Sequence, residues 1–305
     1  MDTIVASAYD GQNLTVAEML KDPTYIPTRV VEGMQGQFLA ELLFRNGGTN
    51  DGVVAFREAA SPYLNLDAQE VAEFAEIPVA NLAYGALHSV VGVKTALAIR
   101  ISREMIRENR VDQVAAHLEA LNKTMVKTDV KAAVDAFVNN DAVAKVGAGA
   151  KWAAGADPIK DVLDAVEKIQ GAEAPGGAYF DYVPDTMVLH PMALTALLRN
   201  EQVQRFYVGD NASENPVYTG LESKTLFGLN VATSRFMDPA QVIVMEAGAV
   251  GFYSDTDPLQ ATPMYEEGGA SGAGGPRQTW RADMWRKRIL GVDNPKAAVV
   301  ITGVK

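Results

Sequence analysis

The side chains best able to do chemistry in this sequence are three histidines, several glycine-rich turns, scattered carboxylates and one basic-aromatic run. His88, His117 and His190 lie far apart, and no two have the His-x-x-x-His spacing that places two ligands on one helix face. No metal site is expected from them. His190, followed by Pro191, is better suited to supporting a helix start. Gly147-Ala148-Gly149 opens like a dinucleotide fingerprint, but Trp152 stands where its third glycine belongs, and Lys151 lacks the Gly-Lys-Ser/Thr order of a phosphate-binding loop. Gly268 to Gly275 ends at Pro276 and leads into a strand-like segment, so no helix N-terminus follows to receive a phosphate. Ser271 sits between Ala270 and Gly272, but Ala273 replaces the last glycine of a nucleophile elbow. Asp255, Asp257, Glu266 and Glu267 read as solvated surface acids, with no partner geometry from which to argue a glycosidase pair. Catalytic, cofactor-binding and metal-binding residues are all expected to be absent. A soluble α/β enzyme is the less favoured alternative.

The basic-aromatic run holds Trp280, Arg281, Trp285, Arg286, Lys287 and Arg288. Such side chains can stack bases in a nucleic-acid protein. On strand spacing, however, Trp280, Ala282 and Met284 share one face and Arg281, Asp283 and Trp285 the other. A strand contacting another subunit is the preferred reading, because Trp and Arg are enriched at interfaces.

The 305 residues carry 27 Lys plus Arg against 38 Asp plus Glu, a net charge of −11, and no cysteine. Disulfide scaffolds, Cys-based zinc sites and thiol catalysis are excluded. The acidic balance is opposite to that of a free nucleic-acid binder, which neutralises phosphates with Lys and Arg. It is compatible with a non-adhesive wall around DNA, and equally with an acidity that only aids solubility. Apolar residues make up 48%, enough for a sizeable core. Met1 to Asp10 has no basic region followed by an apolar run, so a signal peptide is not expected. No apolar stretch reaches the ~18 residues of a membrane span.

The elements follow from periodicity. Pro23 and Pro27 interrupt the start, an apolar helix is predicted over Val30–Phe44, and Asn46-Gly47-Gly48 should end it. Residues 51–85 read as a long β-hairpin. Val53, Val54 and Phe56 lie in its first strand, turns fall at Ser61-Pro62 and Asn65, and a second run, Val71–Ile77, carries Glu70, Glu73 and Glu76 in and beside it. Such a hairpin buries too little to be stable alone and should lie on a neighbour. A strand over 86–101 leads to Ser102, a good N-cap, and one long helix is predicted to Val138, about 55 Å if unbroken, with a small break near Thr128-Asp129. Its stripe includes Val114, Leu118, Leu121, Met125, Val130, Val134 and Phe137. Gly147, Gly149 and Gly155 form a hinge-like patch. A helix opens at Asp157-Pro158, with Ile159, Val162, Leu163, Val166 and Ile169 on one side and Gly171, Pro175, Gly176 and Gly177 after it. Then come a strand, Thr186–Leu189, and a helix from His190-Pro191 with Met192, Leu194, Leu197 and Leu198 on its apolar face. A polar loop follows over 208–225, and strands over 228–234 and 241–246. A strand-rich return runs from Gly248 to Leu290, and Ala297–Thr302 forms a closing strand.

This order of elements resembles the HK97-type capsid protein of tailed bacteriophages. Local phrases are similar too: Val71-Ala72-Glu73-Phe74-Ala75-Glu76-Ile77-Pro78 looks like the acidic end of that family's E-loop, and Ile101-Ser102-Arg103-Glu104-Met105 like its strand-to-spine junction. Met187-Val188-Leu189-His190-Pro191 and Leu226 to Ser234 resemble axial-domain strands, and Pro295 to Gly303 the closing segment. The resemblance implies an α+β, HK97-type fold. Its parts would be an N-terminal arm (1–50), an E-loop (51–85), a peripheral domain with spine helix (86–140), an axial domain (141–247), peripheral return strands (248–290) and an axial closing strand (291–305).

It also implies an assembly protein and not an enzyme. Hexamers and pentamers would form an icosahedral shell enclosing double-stranded DNA without sequence-specific contacts. A separate scaffolding protein is expected, because only about fifty residues precede the E-loop. Portal and decoration or minor capsid proteins are further partners, no membrane is involved, and assembly is expected in the host cytoplasm. The same fold builds encapsulin nanocompartments, which is the alternative. Some family members cross-link through an E-loop lysine, but residues 51–85 contain none. The residues expected at subunit interfaces are Phe56, Arg57, Tyr63, Glu70, Glu73, Glu76, Trp280, Arg281, Trp285 and Arg286.

Overall fold

The computed structural model describes residues 16, 27–28, 38–152, 156–174, 177–207, 225–269 and 272–305. Residues 30–37 of the first predicted helix, most of the 208–225 loop, Gly155, Pro175, Gly176, Ala270 and Ser271 lie outside them. In chain order, α1 (Leu39–Leu43) is followed by β1 (Arg45–Thr49), β2 (Val53–Arg57), β3 (Leu87–Val91) and β4 (Val93–Ser102). Two helices follow, α2 (Arg103–Arg107) and α3 (Val111–Val138), then β5 (Ala144–Gly147), α4 (Pro158–Gln170), β6 (Thr186–Leu189), α5 (Pro191–Arg199) and α6 (Glu201–Tyr207). The remaining strands are β7 (Thr225–Leu226), β8 (Leu229–Thr233), β9 (Gln241–Met245), β10 (Gly251–Ala261), β11 (Tyr265–Glu266), β12 (Thr279–Val292) and β13 (Ala298–Thr302).

Caps legible in the sequence set several of these boundaries. The Ser102 hydroxyl accepts the Met105 N–H at 3.2 Å, and Asp157 accepts that of Lys160 at 3.2 Å ahead of Pro158. His190 Nδ1 accepts the Met192 N–H at 2.9 Å, so this histidine is a helix cap. The predicted single helix from Ser102 to Val138 is two. Asn109 takes a left-handed φ of 48°, the Arg110 N–H bonds the Met105 carbonyl and the Asn109 N–H that of Ile106. These two bonds form a Schellman ending, with Asn in the place glycine usually takes. The helix continues unbroken through Thr128-Asp129, where Thr124 and Thr128 bond back to carbonyls four residues earlier. At 28 residues α3 is about 42 Å long.

Two sheets meet at α3. The first runs β1-β10-β12-β11, with β4 on the other edge of β12. Asn46-Gly47-Gly48 therefore does more than end a helix: it lies within β1, parallel to β10, and a Cβ on Gly47 would come within 2.9 Å of the Phe252 ring. The second sheet runs β5-β13-β9-β6-β8-β7. Its central strands are buried on both faces and so read as continuous apolar runs, Thr186–Leu189 and Gln241–Met245 among them. Met187, Leu189, Val242, Val244, Val299 and Ile301 face α4 and α5, whereas Val188, Ile243, Met245 and Val300 join the core around α3. That second core also takes Ile99, Ile101, Ala282 and Met284 from the first sheet. Two predicted apolar-face residues, Leu163 and Met192, are half exposed, because α4 and α5 each bury a narrower stripe than their sequences allow.

Candidate assembly surface

Among the described residues β2 and β3 pair only with each other, Val53 opposite Val91 through Arg57 opposite Leu87. The second run expected in the hairpin, Val71–Ile77, is not a strand; the partner of β2 is β3, further along the chain. Between them residues 58–86 form a long loop with one isolated bridge, Leu64 to Leu82. No described strand lies within reach to pair with Val71–Ile77, so its backbone turns locally, with Ala75 N–H bonded to Ala72.

The base of this loop is anchored. Phe56 packs edge-on against Phe252 at 5.3 Å and stacks with His88 at 5.8 Å. His88 Nε2 lies 3.0 Å from Glu58. Arg57 sits 5.6 Å over the Tyr84 ring and donates to the Gly85 carbonyl at 3.3 Å. Gly85 is required there, because a Cβ would stand 2.3 Å from the Glu58 carbonyl oxygen.

Beyond the Leu64–Leu82 bridge the apolar side chains near the tip of the loop are open to solvent. Phe74 is 98% exposed, Val79 81% and Ile77 75%. Phe74 also holds a left-handed φ of 68°, unusual for an aromatic residue. Tyr63, Glu70, Glu73 and Glu76 are exposed on the same loop. Residues 51–85 carry six carboxylates against one arginine, Arg57.

The predicted alternation of β12 is observed. Trp280 pairs with Ile101, Ala282 with Ile99 and Met284 with Leu97, on the face toward α3. Arg281, Asp283, Trp285 and Lys287 point the other way, opposite Arg100, Ala98, Ala96 and Lys94. On that outer face Lys94 lies 5.4 Å over the Trp285 ring. Arg100 bonds Glu267 at 2.5 Å and holds its carboxyl below the usual range. Asp283 accepts bonds from Tyr265 and Arg281; these outweigh its partial desolvation and hold it low, while the same bond pushes the Tyr265 hydroxyl up.

Arg286 does not belong to this surface. Its side chain is only 5% exposed, and with Arg288 it turns inward to meet Glu41, Asp129 and Asp255. Every second residue of β12 faces α3, and Arg286 falls in that phase. Asp255, read from sequence as a surface acid, is partly buried in the same cluster at 2.6 Å from Arg288. The sequence signal for this cluster was its phase: Arg286 and Arg288 continue the Ala282, Met284 alternation. Phe74, Ile77 and Val79 were a weaker signal, apolar residues in a segment with no partner to bury them. Among the described residues no cluster of His, Asp and Glu is arranged to hold a metal, and no helix is long and apolar enough to cross a membrane.

A family described as phage capsid protein matches residues 89–301, from β3 to β13. The chain belongs to the phage capsid protein family. It is therefore a structural capsid protein with a place in the virion capsid. Solved structures agree in fold across nearly the whole capsid chain. The virus-like particle from Pyrococcus furiosus aligns with TM-score 0.59 at 11% identity, over 92% of this chain and 98% of that one. A Microbacterium phage Oxtober96 chain gives 0.59 at 12% identity, over 85% and 89%. A Mycobacterium phage Bobi chain gives 0.55 at 12% identity, over 99% and 96%. The fold is the α+β, HK97-type capsid fold that the order of elements led us to expect. No curated protein matches the sequence.

Proposed function

We propose that this capsid chain assembles in the host cytoplasm into an icosahedral shell of hexamers and pentamers around double-stranded DNA. In this reading residues 1–50 are the N-terminal arm and 51–85 the E-loop. Residues 86–140 and 248–290 form the peripheral domain, and 141–247 with 291–305 the axial domain. The observation that carries the proposal is the loop 58–86, whose Phe74, Ile77 and Val79 are exposed in the isolated subunit. A second copy of the chain is the partner that covers them. Its outer β4–β12 face complements the loop, with Trp285 to receive apolar side chains and Lys94 and Lys287 to face Glu70, Glu73 and Glu76. Single exposed ion pairs contribute about 1 kcal/mol at most, so strength comes from repetition around each ring.

Assembly is guided by a separate scaffolding protein and completed by a portal and decoration or minor capsid proteins. The DNA is held without sequence-specific contacts, in keeping with the net charge of −11. The shell is non-covalent. An isopeptide bond needs an amine nucleophile, the loop has no lysine, and arginine remains protonated. Boiling mature particles in detergent should release one species of 32.7 kDa; a ladder of rings would overturn this.

Negative-stain microscopy and light scattering of the purified chain, with and without co-expressed scaffold, test the main proposal. Closed particles are expected, and a monomer under every condition would sink it. The likeness to the Pyrococcus furiosus virus-like particle favours, as a second reading, an encapsulin-type compartment. Protein cargo in place of DNA inside purified particles would select that reading.

A further inference from the structure

We propose that the partly buried charge cluster joining α1, α3, β10 and β12 is a proton-sensitive latch that seats α1 firmly against the long helix in acid and loosens it toward neutral pH. Five charged groups meet there: Glu41 from α1, Asp129 from α3, Asp255 from β10, and Arg286 and Arg288 from β12. Both guanidiniums share one oxygen of Glu41, at 2.9 and 3.1 Å. Asp129 lies 3.3 Å from Arg286 and 3.9 Å from Arg288, and Asp255 lies 3.4 and 2.6 Å from the same two. Phe38, at the start of α1, stacks over the Arg286 guanidinium at 4.5 Å, and Tyr253 over that of Arg288 at 4.3 Å.

Three carboxylates against two guanidiniums leave one negative charge unmatched when every group is ionised. A single proton balances the cluster. Asp129 Oδ2 is buried and accepts no hydrogen bond among the described residues, so it is the oxygen free to carry that proton. Asp129 is the group that takes the proton. It is the least exposed of the three acids, 13% against 19% for Asp255 and 39% for Glu41. Burial pushes it up to about 6; Arg288 opposes this, and the charges of Glu41 and Asp255 add to it.

Glu41 gives the cluster a moving part. α1 has only five residues, and its apolar seat is Leu39, Ala40 and Leu43. Ionised Asp129 repels Glu41 and competes with it for Arg286. Protonated Asp129 leaves the two arginines to Glu41 and Asp255 alone, a balanced set that pulls α1 down. The linkage is reciprocal, because lifting α1 away opens Asp129 to water and returns it toward its ordinary range. The raised value means that the seating gained from the proton is present in acid and lost as pH rises through about 6. With an ordinary carboxyl when α1 is lifted, the seating equilibrium should be about tenfold more favourable at pH 5 than at pH 7.5.

Amide hydrogen exchange of the full chain tests this in peptides covering α1, including the Phe44 amide that bonds Ala40 at 3.0 Å. After correction for intrinsic exchange, protection is expected to be about tenfold higher at pH 5 than at pH 7.5, with β9 peptides unchanged. Asp129→Asn should abolish the difference, with protection held at the acid level. Glu41→Gln, which balances the cluster without a proton, should also flatten the response, so the test does not depend on one variant folding. The latch is overturned if the wild-type chain shows no pH response, if β9 responds equally, or if both variants keep the response. None of these outcomes bears on whether shells form, so the assembly proposal stands or falls separately.

Discussion

The loop 58–86 and the cluster beneath α1 invert the usual placement of side chains, in opposite senses. The loop holds Phe74, Val79 and Ile77 in solvent, while the cluster holds Arg286 and Arg288 out of it. The difference lies in where each finds partners. The arginines are met within the subunit by three carboxylates and two aromatic rings, so burying them completes a contact. Phe74, Ile77 and Val79 find no such partners among the described residues. Burying a Phe, Ile or Val is worth about 1.5–3 kcal/mol each, which remains available for a contact between subunits. Buried charge here belongs to the fold, and under the proposed assembly the exposed apolar surface belongs to the contact between subunits.

That division predicts how substitutions should sort by their effect on the isolated subunit. The largest effect is expected at Leu118, which α3 buries in the core shared by both sheets. Leu118→Asp places an unpaired carboxylate there at a cost of several kcal/mol, comparable to the whole stability of a domain. Circular dichroism should show an unfolded or insoluble chain, and a cooperative wild-type melt from this variant would break the comparison on its core side.

The cluster should give the next largest effect, and one that depends on pH. Asp129 has a raised folded value, near 6 against 3.8, so its contribution is full below about pH 4 and lost as pH rises through 6. The span is about 3 kcal/mol. Asp129→Asn should therefore be more stable than the wild-type chain at pH 7.5 and no more stable at pH 4. Urea denaturation at the two values measures this. A variant less stable at pH 7.5 would mean that the ionised carboxylate contributes more through Arg286 and Arg288 than its burial costs.

Much of this fold was legible in the sequence because its signals are local. Thr186–Leu189, the Asp157 and Ser102 caps and the strand alternation of β12 all follow from spacing within ten or so residues. The errors arose where a distant partner decides the outcome. Val71–Ile77 has the composition of a strand, but no described strand runs beside it. Asn46-Gly47-Gly48 has the composition of a helix stop, yet β10, some 200 residues later in the chain, recruits it into a sheet. The break at Asn109 was missed because asparagine in a polar stretch looks like any other surface residue. Of the expected interface residues, those on the loop and the outer face of β12 lie on the surface. Arg286 does not, because strand phase decides the direction of a side chain and residue type does not.

A smaller effect is expected at the junction between β4 and α2. Ser102→Ala removes the hydroxyl that accepts the Met105 N–H and should cost about 1 kcal/mol. Thermal melts can resolve this, and Ser102→Asp should restore most of it. No change on removal would mean that pairing with β12, and not the cap, fixes the start of α2.

The smallest effect on the subunit, and the sharpest test of the comparison, is expected at Phe74. The side chain is 98% exposed, so its removal takes almost no packing away. Its φ of 68° is strained for an aromatic residue, whereas aspartate tolerates the left-handed region. Phe74→Asp should therefore leave subunit stability within about 0.5 kcal/mol of wild type or raise it slightly. The effect on assembly should be the reverse. Losing the burial of one Phe, about 2 kcal/mol, weakens each subunit contact roughly 30-fold, and the ring repeats that loss at every position. Light scattering across a concentration series should show the onset of assembly moving to much higher concentration, with Phe74→Leu in between. If Phe74→Asp forms shells at the wild-type concentration, the tip of the loop is not where the subunits hold one another. If it unfolds the subunit, the loop belongs to the fold after all.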